Sequence, residues 1–131
     1  MVKNFVSSWP FEYKNKNKHH ETTEQIKIAA WMKVKFPDCL FTIAPNDIKL
    51  QIHQAKILKS RGYRKGTPDF LIFEPRGKYH GAVIELKIKG NRSTTEEQIE
   101  FILLAAERGY FGTVVFGYDE AVEVIEKYLL G

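Results

Sequence analysis

Asp69, Glu85 and Lys87 are the residues of this chain whose types and spacing are best suited to catalysis. Asp69 follows a Gly-Thr-Pro turn and opens an apolar run, while Glu85 and Lys87 lie on the next apolar run along the chain. If the two runs pair as a β-hairpin with Phe73 near Ala82, Asp69 falls opposite Glu85 and Lys87. Side chains two residues apart on a strand share a face. The sequence therefore predicts two carboxylates and one ammonium group at one end of a hairpin.

Two adjacent carboxylates favour a hard divalent cation between them, because at about 4 Å they repel each other by roughly 1–4 kcal/mol near a protein surface. Mg²⁺ prefers oxygen ligands and typically uses one or two carboxylates together with substrate phosphate oxygens. A lysine beside the ion can polarise the attacking water and offset phosphate charge, so this set is suited to phosphodiester hydrolysis. The alternative is a Pro-Asp turn and a solvated Glu-x-Lys pair, each of which is common alone.

A basic segment precedes these residues. Residues 48–66 contain six lysines and arginines and no acidic residue, whereas residues 94–131 hold eight acidic and two basic residues. A basic face on a chain of net charge +4 is suited to a polyanion such as nucleic acid. We expect phosphate contacts from Lys49, Lys56, Arg61, Arg64 and Lys65. The alternative is a flexible, solvated loop.

Hydrophobic periodicity and turn residues predict four helices and four strands. We expect the helices at residues 22–35, 49–60, 94–108 and from 119 onward, and the strands at 40–44, 70–73, 82–87 and 113–116. Thr22 with Gln25 is a capping box for the first helix, while Thr94 or Thr95 caps the third and Asp119 the last. This order predicts an α/β fold with a mixed sheet flanked by helices.

Length and composition limit the class of protein. A chain of 131 residues with 44% hydrophobic and 27% charged residues is expected to form one globular domain. We place that domain at residues 21–131, after a basic and aromatic arm at 1–20. The chain lacks an apolar run long enough to span a membrane, and its one cysteine and four histidines fit no common zinc spacing. A single cysteine is typical of a reducing compartment, so we expect a cytoplasmic protein. The first helix is apolar nearly all round, which indicates a buried or interface position.

These motifs resemble a known family. The run GTPDFLI at residues 66–72, then GAVIELK at 81–87, then Glu-Gln at 97–98 before a helix, is similar to the PD-(D/E)xK nuclease superfamily. More narrowly, the order of these pieces resembles the VRR-NUC domain, especially the small stand-alone forms carried by bacteriophages. The resemblance covers about residues 21–130.

The resemblance implies an αβββαβ nuclease core that cleaves DNA with Mg²⁺ or Mn²⁺. By position, Asp69 and Glu85 match the metal-binding acids, and the main-chain carbonyl of Leu86 matches a further metal ligand. Lys87 matches the catalytic lysine, and Gln98 matches a glutamine near the site. Glu24 matches an acid on the first helix that also holds the metal. Glu21 at the same helix end is the alternative to Glu24.

We therefore expect a metal-dependent DNA endonuclease. Basic residues without an obvious base-reading helix favour selectivity for DNA shape over sequence. The resemblance further implies a homodimer that cuts Holliday junctions or other branched DNA. The alternatives are a DNA-binding module that does not cut, an interaction subunit that docks a partner through its acidic half, and an RNA nuclease.

Overall fold

A computed structural model describes residues 17–44, 50–90 and 93–131 of the chain. Within these ranges the elements follow the order α1 (Asn17–Lys35), β1 (Phe41–Ile43), α2 (Ile52–Ser60), β2 (Phe70–Ile72), β3 (Ala82–Lys87), α3 (Glu96–Glu107), β4 (Phe111–Phe116) and α4 (Tyr118–Leu130). If α2 and α4 are set aside, the remaining order is αβββαβ, as the sequence predicts.

The four strands form one mixed sheet in the order β1-β2-β3-β4. β1 pairs with β2 and β2 with β3 in antiparallel fashion, whereas β3 pairs with β4 in parallel. All six residues of β3 are buried, because neighbouring strands cover both its edges and helices cover both its faces. The predicted α/β fold with a mixed sheet flanked by helices is confirmed.

Alternation along the strands separates two apolar layers. Ile84 and Leu86 of β3 pack in the main core with Ile28 of α1 and Ile125 of α4. On the other face, Ile102 of α3 forms a smaller cluster with Val114 and Phe116 of β4. Since successive strand residues point to opposite faces, Glu85 and Lys87 lie on the α3 side.

The register of the hairpin differs from the predicted one by a single residue. Ile72 lies opposite Ala82, and Phe70 lies opposite Ile84, whereas the sequence analysis placed Phe73 near Ala82. The observed register continues to Asp69 opposite Glu85. The hairpin therefore brings the two acids together, as predicted.

Two predicted helix starts are wrong. α1 begins at Asn17 rather than at Thr22, so Thr22 lies inside the helix and does not cap it. Residues 17–21 are polar, but they include no glycine or proline that would stop a helix. α4 begins at Tyr118 after Gly117, so Asp119 lies in its first turn and is not the cap.

The other boundaries shift by a few residues. The expected helix at 49–60 is Ile52–Ser60, the expected helix at 94–108 is Glu96–Glu107, and β4 begins at Phe111 rather than at residue 113. Thr95 caps α3 as predicted: its side chain accepts a hydrogen bond from the backbone N–H of Gln98 at 3.2 Å. Residues 1–16, which form most of the predicted arm, lie outside the described residues, so the domain boundaries remain a prediction.

The apolar first helix is only partly covered. Ile28 and Met32 of α1 are fully buried, but Ile26 is 64% exposed and Val34 is 83% exposed. The helix therefore packs one side into its own core and presents a second apolar strip to the surface. In the described part of the chain, no helix has the length and apolar character needed to cross a membrane.

Candidate active site

Asp69 is fixed at the entrance to β2 by the backbone of two neighbouring strands. Its Oδ2 accepts a hydrogen bond from the backbone N–H of Leu86 at 2.8 Å, and its carbonyl accepts one from the N–H of Ala44 at 3.0 Å. Only 5% of Asp69 is exposed. The first hydrogen bond fixes the carboxylate beside Glu85, and the second fixes the backbone of Asp69 next to β1.

Glu85 lies in the middle of the buried strand β3 and is only 3% exposed. Its Oε2 accepts a hydrogen bond from Nε2 of Gln98 at 3.0 Å and lies 3.6 Å from Nζ of Lys87. Within the described residues its other oxygen, Oε1, is buried without a hydrogen-bond partner. A buried carboxylate oxygen left in this state is unfavourable unless a proton or a cation meets it.

Gln98 connects Glu85 to Lys87. Its Oε1 accepts hydrogen bonds from Nζ of Lys87 at 3.0 Å and from the backbone N–H of Thr95 at 3.0 Å. The amide is oriented because Oε1 meets two donors while Nε2 meets the carboxylate. The structure thus brings Asp69, Glu85, Lys87 and Gln98 together, with the capping box of α3 holding the last of them.

The environment of Glu85 strongly favours its protonated form. Burial is the largest cause, and the negative charge of Asp69 adds to it, so that the pKa of Glu85 rises from 4.5 to about 9. The Lys87 cation opposes this shift, while Glu21 reinforces it. Acids at catalytic sites commonly show such perturbation by burial and like charge.

The donor set fits a hard divalent cation. Two acids crowded into a buried site, one of them with an oxygen that has no hydrogen-bond partner among the described residues, form the arrangement that Mg²⁺ or Mn²⁺ relieves. Among residues 17–44, 50–90 and 93–131, no three or more His, Cys, Asp or Glu side chains form a metal-binding group. Two carboxylates would therefore leave the remaining positions to the Leu86 carbonyl, water and phosphate oxygens.

Of the two candidate acids on the first helix, Glu24 has a structural partner elsewhere. Its Oε1 accepts a hydrogen bond from the backbone N–H of Tyr118 at 2.7 Å, and its Oε2 lies 3.7 Å from Nζ of Lys27. Glu24 thus supplies the N-terminal cap that α4 lacks in its own sequence. Glu21 is the acid of α1 whose charge acts on Glu85.

Tyr63 is a residue near the acids that the sequence analysis did not identify. Burial raises the pKa of its hydroxyl, and the charges of Asp69 and Glu85 raise it further, so the hydroxyl lies within electrostatic range of the acid pair. Its position between two glycines, Gly62 and Gly66, was the only signal in the sequence, and it did not distinguish Tyr63 from an ordinary loop residue.

Gly66 holds the basic segment against the start of α3. The backbone at Gly66 has φ +90°, and a Cβ there would come within 2.4 Å of the carbonyl oxygen of Glu97. Any other residue would therefore push the loop away. The contact keeps Arg64 and Lys65 near the first turns of α3, where they lie 3.9 Å from Glu100 and 4.0 Å from Glu97, respectively.

The rest of the predicted DNA-binding set is more remote or not described. Arg61 is the exposed residue at the C-terminal end of α2, and Lys56 lies on that same helix. No residue of α2 is buried, so the helix projects from the domain. Lys49 lies outside the described residues.

A mixed sheet with helices on both faces and an acid pair beside a lysine at a hairpin end defines a restriction-endonuclease-like domain. A model of the VRR-NUC domain family matches residues 12–118, and the chain belongs to that family. A solved structure titled "VRR_NUC domain protein" is 31% identical; the match covers 84% of this chain and 88% of that chain, with a TM-score of 0.73. A comparison with curated proteins finds no match. Family membership makes this a nuclease-like domain with DNA as its substrate class, and such domains generally use divalent metals.

Proposed function

We propose that the protein is a DNA endonuclease that depends on Mg²⁺ or Mn²⁺. The observation that carries this proposal is the buried acid pair beside Lys87, in which one Glu85 oxygen has no hydrogen-bond partner within the part of the chain that the structure describes. A DNA-binding module that does not cut has no use for an acid pair buried at the place where phosphate must approach. The alternative of a non-cleaving module is therefore disfavoured by the cost of this arrangement.

The metal would be held by Asp69, Glu85 and the main-chain carbonyl of Leu86, and an acid from α1 would add negative charge beside it. The contacts of Glu24 with Tyr118 and Lys27 favour Glu21 as that acid. A divalent cation at this place supplies a water of lowered pKa and offsets charge on the phosphate.

Lys87 is suited to orient the attacking water. Its ammonium group lies in a buried setting, held by Oε1 of Gln98 at 3.0 Å, so it is presented in one direction. An ammonium group has three N–H donors, which leaves it a donor for water or for a phosphate oxygen. Gln98 acts as a positioning residue, because it holds both Lys87 and Glu85.

We further propose that the enzyme selects branched DNA, including Holliday junctions, and acts as a homodimer. Coordinated cutting of two strands needs two sites of opposite polarity, which a twofold dimer supplies. Exposed apolar side chains support an interface: Ile26 and Val34 on α1, and Ile52 and Ile57 on α2. The bacteriophage origin and the cytoplasmic location remain predictions from the sequence.

A cleavage panel tests the proposed function. Labelled linear, flap, forked and four-way DNA are incubated with Mg²⁺, Mn²⁺ or EDTA, and light scattering gives the oligomeric state. We expect metal-dependent cutting that Asp69→Asn abolishes while DNA binding persists. Binding without cutting by the wild type would instead favour the non-cleaving module. A monomer that cuts linear and four-way DNA equally would remove the branched-DNA and dimer proposals alone, and competition with labelled RNA addresses the RNA nuclease alternative.

A further inference from the structure

We propose that an apolar groove beside the acid pair binds an unpaired nucleotide of the substrate strand close to the phosphate that is cut. This inference rests on the proposed nuclease function and names one DNA feature, an unpaired arm at a branch, that the same site would recognise. The groove has a volume of about 410 Å³, which lies within the usual range for small-ligand sites. Leu71 and Val83 line it on the sheet, and Phe101 and Leu104 line it on α3.

The groove lies along the same two strands, β2 and β3, that carry the acid pair. Leu71 lies two residues after Asp69, Val83 lies two residues before Glu85, and Leu71 pairs with Val83. Side chains two residues apart share a face, at a spacing of about 7 Å. Phe73, which also lines the groove, lies two residues further, at about 14 Å. With stacked nucleotides about 3.4 Å apart, the groove takes a base within about four nucleotides of the cut.

The lining of the groove suits a nucleobase. Phe73, Phe101 and Tyr110 place aromatic rings around it, and Phe73 is 49% exposed. Bases stack on aromatic side chains without requiring a particular sequence. In a duplex both faces of a base are covered by its stacked neighbours, so only an unpaired base can enter. Gly81 leaves room for the Tyr110 ring, because a Cβ there would come within 3.0 Å of it.

The charges at the groove favour a nucleotide over a neutral apolar ligand. Arg64 and Arg108 line it, and the side chains of both are more than half exposed. They lie 3.9 Å from Glu100 and Glu107, respectively, but exposed pairs of this kind contribute little. The guanidinium groups can therefore turn to phosphates. The acids on the outer surface of α3 oppose a duplex laid across that helix, so the strand enters from the Arg64 side.

The binding experiment uses the full chain in EDTA, where no cutting occurs. The probe is a flap DNA with a single 2-aminopurine placed in turn at each of the first nucleotides of the unpaired arm, and a fully paired duplex with the same base serves as reference. We expect one or two arm positions to change fluorescence on binding, and no position in the duplex to do so. No responsive position, despite binding measured by anisotropy, would overturn the inference.

Variants then assign the signal to the groove. Phe73→Ala and the more conservative Phe73→Leu should remove the fluorescence change and weaken flap binding by roughly 10-fold to 100-fold, the effect of one lost base–aromatic stack. Leu130→Ala, an exposed apolar change at the end of α4, is the matched control. An abasic nucleotide at the responsive position should weaken flap binding by the wild type as much as the Phe73 substitutions do. On that abasic flap, the Phe73 variants and the wild type should bind with equal affinity.

The outcomes separate this inference from the nuclease proposal. If the abasic site and Phe73→Leu each weaken flap binding and the two losses add, the groove assignment is overturned even if the protein cuts DNA. The groove assignment would also be overturned if the Phe73 variants changed their oligomeric state in light scattering but bound DNA as the wild type does. That result would identify the groove as a contact between copies of the chain. Failure of the wild type to cut any DNA would count against the nuclease proposal and leave the fluorescence test standing.

Discussion

Glu85→Gln should stabilise the metal-free protein, and the gain should grow with pH. Burial and the Asp69 charge raise the pKa of the Glu85 carboxyl from 4.5 to about 9. A carboxyl with a raised pKa in the folded state contributes stability that is complete below its unfolded pKa, and that is lost as pH rises through its folded pKa. The window is therefore pH 4.5 to about 9. Glutamine is similar in shape and neutral throughout, so the variant escapes this loss.

The size of the gain follows from the geometry of the pair. One proton bound by the folded but not the unfolded state corresponds to a slope of about 1.4 kcal/mol per pH unit. The repulsion between Asp69 and Glu85 alone corresponds to roughly 1–4 kcal/mol, and burial acts in the same direction, so we expect a gain of at least this size. For a domain of this size, the Tm of Glu85→Gln relative to the wild type should therefore increase by about 3–15 °C as the pH rises through this window.

Thermal unfolding followed by circular dichroism in EDTA, at several values between about pH 6 and pH 9.5, measures the effect. Glu123→Gln on the exposed side of α4 is the control, for which no growing difference is expected. Millimolar Mg²⁺ should then raise the Tm of the wild type but not that of Glu85→Gln. A Tm difference that stays constant across this pH range would refute the reasoning about the acid pair.

Three further predictions concern individual residues. Lys87→Ala should abolish cleavage but retain Mg²⁺ binding by calorimetry, because an ammonium group cannot ligate the ion; loss of binding as complete as in Asp69→Asn would contradict the water-orienting role. Alanine at Arg61, Arg64 and Lys65 together should weaken binding of all DNAs and reduce the salt dependence by roughly two to three units of slope, at about 0.9 per phosphate contact; an unchanged slope would place the DNA elsewhere. Glu24→Gln should lower the free energy of unfolding by about 1 kcal/mol, because it weakens the cap on α4. Glu21→Gln should instead lower cleavage with little change in Tm. The reverse pattern would restore Glu24 as the acid at the metal.

The hairpin and its acids could be predicted because local signals define them. The turn before Asp69, the apolar runs and the alternation of Glu85 with Leu86 set both the strands and the faces, and the observed register differs by one residue. The sequence predicts Thr94 or Thr95 as the cap of α3, and in the structure Thr95 is the cap and its hydrogen bonds hold Gln98. Short-range rules sufficed wherever the determining contacts lie close together along the chain.

The parts that could not be predicted depend on tertiary contacts. The cap on α4 comes from Glu24, 94 residues away in the sequence, and no local pattern reveals such a partner. The choice between Glu21 and Glu24 depends on how α1 packs against β3 and α4, which spacing on the helix cannot supply. The charges of Asp69 and Glu85 act on Tyr63, whose loop lies against the start of α3 at Gly66.

The hydrogen bond from Tyr118 to Glu24 also bears on the order in which the protein folds. Asp69, Glu85, Lys87 and Gln98 come from one hairpin and the helix that follows, so their contacts have short loops to close and can form early. The bond between Glu24 and Tyr118 spans 94 residues, and it joins α1 to α4 across nearly the whole described chain. An intermediate with the hairpin and α3 in place would already carry the acid pair, while α1, with Glu21, would dock last. Acquisition of a complete catalytic centre would then coincide with the final folding step, so a chain still incomplete during synthesis would not yet be able to cut.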